Sequence, residues 1–288
     1  MGMLEHARRT PPLLVGVVHL LPLPGSPGWR GSMSEILDQA DREAAIYRES
    51  GLSAIIVENM HDVPYLRGHV HPETTAAMAV AAAQVKRRAQ DIPVGVQLLA
   101  GANREALGVA IAANLDFIRV EAYAYAHVAD EGILEACCGE LTRVRAALGR
   151  QDIEILADVQ KKHAAHALTS DLDLVDLAVG TEFCRADGLI VTGATTGAPP
   201  PPDDVSRVRA ATRLPVLIGS GITPDNVADF QAADGFIVGS FFKQGGRWTN
   251  PVDRERVRAL VDALAHQRGQ PVTASPSRPA PPTGTAQG

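Results

Sequence analysis

Short runs of aliphatic and β-branched residues recur eight times along this chain, each followed by a longer amphipathic stretch. The runs cover 14–20, 54–58, 94–98, 117–121, 153–159, 188–192, 216–219 and 235–239. The stretches between them predict helices over 33–49, 72–89, 104–113, 131–148, 171–183, 203–211, 224–231 and 252–267, from apolar spacing and from caps such as Ser32. Strands that alternate with helices pair in parallel, because each helix carries the chain back to the same edge. Eight such units predict an α/β fold, a single closed (βα)8 TIM barrel, since closure leaves no exposed edge. The segments 51–58, 114–121, 185–192 and 233–239 repeat one grammar of polar entry, aliphatic strand and small or polar exit. The competing open doubly wound sheet lacks a Gly-x-Gly-x-x-Gly turn after the first run.

Composition agrees with this. Hydrophobic residues make up 45% of the chain and aromatics only 4%, an aliphatic mixture suited to parallel strands buried on both faces. A net charge of −6 argues against a nucleic-acid partner, which would need a basic face. Cys137, Cys138 and Cys184 form no disulfide framework and no four-ligand zinc spacing. No run reaches the ~18 apolar residues of a membrane span and the first residues lack an apolar signal core, so a cytoplasmic location without a membrane partner is expected. The barrel is expected over 13–268. Residues 1–12 read as a polar extension outside it, and the Pro- and Ser-rich segment 269–288 as a disordered tail.

Ligands of such barrels bind where strands end. Two late exits are rich in glycine, one with Gly219, Ser220 and Gly221, the other with Gly239 and Ser240. Glycine lets backbone approach an anion, and a following helix would point free N–H groups at it. Thr192 and Gly193 at the sixth exit add small polar groups. Loops seven and eight adjoin in a closed barrel, so together they predict a phosphate site, with Lys243 as an added charge or a solvent-exposed lysine.

Strand alternation sets Arg119 and Glu121 on one face and Glu154, Asp158 and Gln160 on another common face. If these faces point inward, Glu58, Glu121 and Asp158 converge at the mouth with His19 and Gln97. Carboxylates gathered in a desolvated cavity acquire separated pKa values, suiting one as acid and another as base. The same three could hold Mg²⁺, or form salt bridges across the barrel, such as Arg119 with Glu121 or Asp158. No other cofactor is predicted. In the string from Asp158 to His163, Asp158 would orient Lys162, while His163 would carry protons. A zinc site at His163 and His166 lacks further ligands. Asn59 opens a long polar second loop, and is assigned with Gln97, Arg119 and His163 to the substrate pocket; the catalytic set is Glu58, Glu121, Asp158, Lys162 and His19.

Several strings resemble the BtpA family, barrels related to ribulose-phosphate-binding enzymes and named for a member implicated in photosystem I biogenesis. They are the segment from Gly16 through His19 and Pro24 to Pro27, Val57 to Pro64 with Glu58, Asn59 and Asp62, Phe117 to Val120, and Ile155 to Asp158 followed by Lys162 and His163. The segments 187–191 and 215–221, then Val238 to Ser240 with Lys243 and 250–253, extend the likeness over about 13–267. The resemblance implies a barrel of that kind. It also implies two departures: an Asn and an Arg-Asn-Asp stretch are expected where this chain has Gln97 to Ala102, and Asn where it has Glu121. Two functions follow as expectations. One is acid–base chemistry, of isomerase, epimerase or lyase type, on a small phosphorylated sugar, phosphoribosyl or nucleotide-like substrate. The other is a non-catalytic assembly or regulatory factor that keeps the anion site. A homo-oligomer is expected in either case.

Overall fold

A computed structural model describes residues 2–9, 12–195 and 197–268. Eight parallel strands close into a barrel: β1 (Leu13–His19), β2 (Ala54–Glu58), β3 (Val94–Gln97), β4 (Phe117–Val120), β5 (Glu154–Asp158), β6 (Gly188–Val191), β7 (Val216–Ile218) and β8 (Gly235–Val238). Each strand pairs with the next, and β8 returns to β1 with Leu13 opposite Gly235. Strand period two sorts the side chains into two cores. Leu14, Val18, Ile55 and Val57 face outward to the helices, while Val15, Val17, Ala54, Ile56, Phe117, Leu156, Ile190, Leu217 and Ile237 fill the barrel. Gly95 makes room for Phe117, because a Cβ there would lie 2.3 Å from the ring. The three cysteines are free.

Four segments depart from the sequence reading. The N-terminal extension was expected to stand outside, yet Met3–Arg9 is a helix whose Met3, Leu4 and Ala7 are buried against the barrel's inner core. It closes the end of the barrel away from the strand exits, and the Leu4 N–H donates to Glu154 at 3.2 Å. Residues 131–148, expected as one helix, split. His127–Ala129 and Gly132–Leu134 form an antiparallel hairpin extended by Ala164–Ala165, and only Cys138–Ala147 is helical. The fifth expected helix begins later, at Leu174–Phe183, where Asp173 and Asp176 form a capping box.

The seventh expected helix shrinks to a 3-10 turn, Val227–Phe230. Asn226 takes the Thr223 N–H at 2.9 Å and donates to Gly221 O at 2.9 Å. Local bonds of this kind compete with a helical start. The expected disordered tail, 269–288, lies outside the described residues.

Candidate functional site

The inward period of the strands carries chemistry at the exit end. His19, Glu58, Gln97, Arg119 and Glu121 line one cleft of ≈ 220 Å³ with Lys162 and with Gly219, Ser220, Gly221, Gly239 and Ser240. Arg119 sits at its floor. Its Nε donates to Asp158 Oδ2 at 3.2 Å, Nη2 to Asp158 Oδ1 at 3.1 Å and Nη1 to Glu58 Oε1 at 3.4 Å. Burial works against the guanidinium charge, but Asp158 and Glu58 outweigh it and raise the Arg119 pKa. The carboxylates offered to Mg²⁺ by the sequence are thus spanned by a guanidinium. Among the described residues, no group of three or more His, Cys, Asp and Glu is arranged to hold a metal ion.

Burial shifts the acids and bases around Arg119. It raises Glu58, with Arg119 opposing, and pushes Glu121 up to about 7, with the charge of Lys161 opposing. Lys161 pairs with Glu131 at 2.9 Å and reaches Glu121 Oε2 at 3.7 Å, so the hairpin of the fourth loop sets a cation beside Glu121. Lys162 is half-buried, and desolvation and then Arg119 lower its pKa. His19 is held well below its ordinary value by burial and then by Lys243. Its Nδ1 lies 3.1 Å from the Trp248 carbonyl. A carbonyl only accepts, so Nδ1 carries the proton and Nε2 keeps its lone pair toward the cleft. Glu58 Oε2 is 3.9 Å from that nitrogen.

The opposite side of the cleft is backbone. Among the described residues, the N–H groups of Gly221, Ile222, Gly239 and Ser240 have no protein acceptor. Gly221 has φ +73°, and a Cβ there would meet Pro199 N at 2.1 Å; one on Gly239 would come within 3.0 Å of His19 Nε2. The expected helix behind the seventh loop is the 3-10 turn, and Ser240–Phe242 is another. Free loop N–H groups, rather than a helix dipole, therefore face the cleft.

A sequence model of the BtpA family matches residues 10–266. The chain belongs to the BtpA family. It is 37% identical over 257 residues to the photosystem I biogenesis protein BtpA of Synechocystis sp., covering 88% of each chain. It is 46% identical over 254 residues to an uncharacterised mitochondrial protein of Caenorhabditis elegans, covering 87% of this chain and 92% of that one. Two solved structures share the fold. Thiamine phosphate pyrophosphorylase from Pyrococcus furiosus has a TM-score of 0.56 at 15% identity, covering 90% of this chain and 97% of that one. (S)-3-O-geranylgeranylglyceryl phosphate synthase from Thermoplasma acidophilum, in complex with sn-glycerol-1-phosphate, has a TM-score of 0.57 at 18% identity, covering 92% and 97%. At such identities the likeness is one of architecture. No helix among the described residues is long and apolar enough to cross a membrane.

Within this BtpA-family barrel, five residues assigned to the site from sequence stand off the cleft lining. Asp158 lies behind Arg119, as its anchor. Asn59 is buried as a brace of the second loop, donating to Asp62 at 3.1 Å and accepting the Leu99 N–H at 2.8 Å. His163 is exposed. The Thr192 hydroxyl donates to Gln160 O, and the Gly193 N–H donates to the Ser220 hydroxyl at 3.0 Å. Ser220 in turn donates to Ala198 O at 2.8 Å, so the sixth and seventh loops are tied to each other. Lys243, read as an added charge or an exposed lysine, is fully buried on Glu43 at 2.7 Å.

Sequence reasoning missed Arg256. It lines the cleft beside Gly246 and Phe241, with its guanidinium carbon 4.3 Å from the Phe241 ring centroid and Nε donating to Phe241 O at 2.6 Å. It belongs to the first turn of the helix Arg254–Arg268. A cation there opposes the helix dipole, and that mismatch was the available signal.

Proposed function

We propose that this chain is an enzyme that works by acid–base chemistry on a phosphorylated sugar, phosphoribosyl or nucleotide-like compound, of isomerase, epimerase or lyase type. One observation carries the reading. Unpartnered N–H groups on two adjacent loops and the Arg256 guanidinium face one side of a cleft whose other side holds Glu121, Glu58, His19 and Lys162. Backbone N–H groups and a guanidinium are the donors that suit phosphate oxygens. The phosphate would hold the substrate in register while Glu121, whose pKa lies near neutrality, takes and returns a proton. Arg119 and Lys162 would stabilise negative charge that develops on the substrate. The two structural neighbours are themselves named for phosphorylated compounds, thiamine phosphate in one case and a glyceryl phosphate, bound as sn-glycerol-1-phosphate, in the other. A homo-oligomer in the cytoplasm, with no nucleic-acid or membrane partner, belongs to the same proposal.

A thermal-shift panel of sugar phosphates and nucleotides tests it, since a ligand that binds only the folded state raises the midpoint by mass action. A stabilising phosphorylated compound should be turned over by the wild type, and bound without turnover by Glu121→Gln. A second reading, a non-catalytic assembly factor, is favoured by the name of the Synechocystis relative. It predicts stable association with a protein partner and no shift with any phosphate, which would overturn the enzyme reading.

A further inference from the structure

The two adjacent strands β3 and β4 deliver a pair of acceptors to the cleft. Gln97 ends β3 and Glu121 follows the last residue of β4. Their side chains line the same cleft, and the residues are only 2% and 5% exposed. Gln97 Oε1 and Glu121 Oε2 are both fully shielded, and among the described residues neither receives a hydrogen bond. Glu121 Oε2 has the Lys161 ammonium at 3.7 Å, beyond hydrogen-bond range. By contrast, Asp158 takes two bonds from Arg119, and Glu58 Oε1 takes one. A buried acceptor left without a donor destabilises the fold, and native proteins leave few of them. Two such acceptors, on residues at the ends of adjacent strands that line one cleft, therefore call for donors from a ligand.

Their position says which part of a ligand would bring those donors. In barrel order, β3 and β4 lie across from β7 and β8, whose loops carry the free N–H groups. We infer that Gln97 and Glu121 form a donor-reading subsite, which selects phosphate esters whose far end carries hydroxyl or N–H groups over esters with an alkyl end. The assignment rests on the phosphate reading above, and it names the residues that set specificity within that reading. An alkyl end would leave both acceptors without a donor. Sites built around such polar contacts reject analogues that lack the matching group far more strongly than apolar pockets reject a missing methylene.

The test compares inorganic phosphate with matched pairs of esters by calorimetry on the full chain. Ribose 5-phosphate is paired with n-pentyl phosphate, and glycerol 1-phosphate with n-propyl phosphate. The expected result is that at least one hydroxylated ester binds about tenfold or more tightly than its alkyl partner. In Gln97→Met, which keeps the length and removes the acceptor, that ratio should fall toward one. Gln97→Met without ligand should also melt no lower than the wild type, because it removes a buried oxygen that has no donor. A lower melting point would show that Gln97 is satisfied in the free protein, and would overturn the inference. Phosphate binding with equal affinity for every pair overturns the subsite alone. No binding of phosphate or of any ester overturns the phosphate reading and the subsite with it.

Discussion

Arg119 holds Asp158 in a two-pronged grip, with Nη2 to Oδ1 at 3.1 Å and Nε to Oδ2 at 3.2 Å, Arg119 on the cleft floor and Asp158 buried behind it. The geometry makes Asp158 the anchor of a guanidinium that lines the cleft. Asp158→Ala leaves a buried cation with Glu58 as its remaining partner, and loss of one member of a buried pair costs about 3–5 kcal/mol. Urea unfolding should show a loss of that order. A variant as stable as the wild type but inactive would instead make Asp158 a direct participant in the chemistry.

Two carboxyls give the fold a pH dependence of known sign. Burial raises both Glu121 and Glu154 from an ordinary value of 4.5 to about 7. A raised folded-state pKa means that the native protein binds the proton more tightly than the unfolded chain. Their contribution is therefore complete below about pH 4.5 and is lost as pH rises through about 7. The double variant Glu121→Gln, Glu154→Gln should flatten the stability profile between those limits. If it falls as steeply as the wild type, the two groups are not its source.

The barrel and much of its floor could be read in advance because strand alternation is a property of the backbone. Once eight parallel strands were recognised, His19, Glu58, Gln97, Arg119 and Glu121 had to share the inward face. What escaped depends on contacts distant in sequence. Met3–Arg9 is seven residues long, and only the open end of the barrel gives its apolar side chains a burial site. The hairpin at His127–Leu134 relies on Gly132 at φ +113° and on pairing with Ala164–Ala165. The pairing of Asp158 with Arg119 is open in the sequence as an alternative to a catalytic role, because both share the inward face. Asp158 carries the same inward signature as Glu58, however, and nothing local decides between the two. Arg256 reaches the cleft because the last helix returns beside the eighth loop.

Lys243 and Glu43 make a second buried pair, 2.7 Å apart, and Glu43 Oε1 also accepts the Val252 N–H at 3.3 Å. The pair locks the segment after β8 onto the helix Met33–Glu49. Lys243→Met should cost about 3–5 kcal/mol, because it strands a carboxylate in the core. Adding Glu43→Gln should restore most of that loss, since the amide is neutral and still offers an oxygen to Val252. Additive losses in the double-mutant cycle would show that the two side chains do not depend on each other.

Arg256 separates binding from stability. Its charge sits in the first turn of Arg254–Arg268, where the dipole disfavours a cation by about 0.3–1 kcal/mol. Its bond to Phe241 O and its place over the Phe241 ring offset that cost. These terms nearly cancel, so Arg256→Gln should change unfolding stability by no more than about 1 kcal/mol. A phosphate gripped by the guanidinium would lose a charge-assisted contact, so the Kd for inorganic phosphate should rise about tenfold or more. The wild-type affinity should also fall more steeply with added salt than that of the variant, because an ionic contact is screened. Unchanged phosphate affinity in a folded Arg256→Gln protein would remove Arg256 from the anion site and leave its role as a strut for the eighth loop.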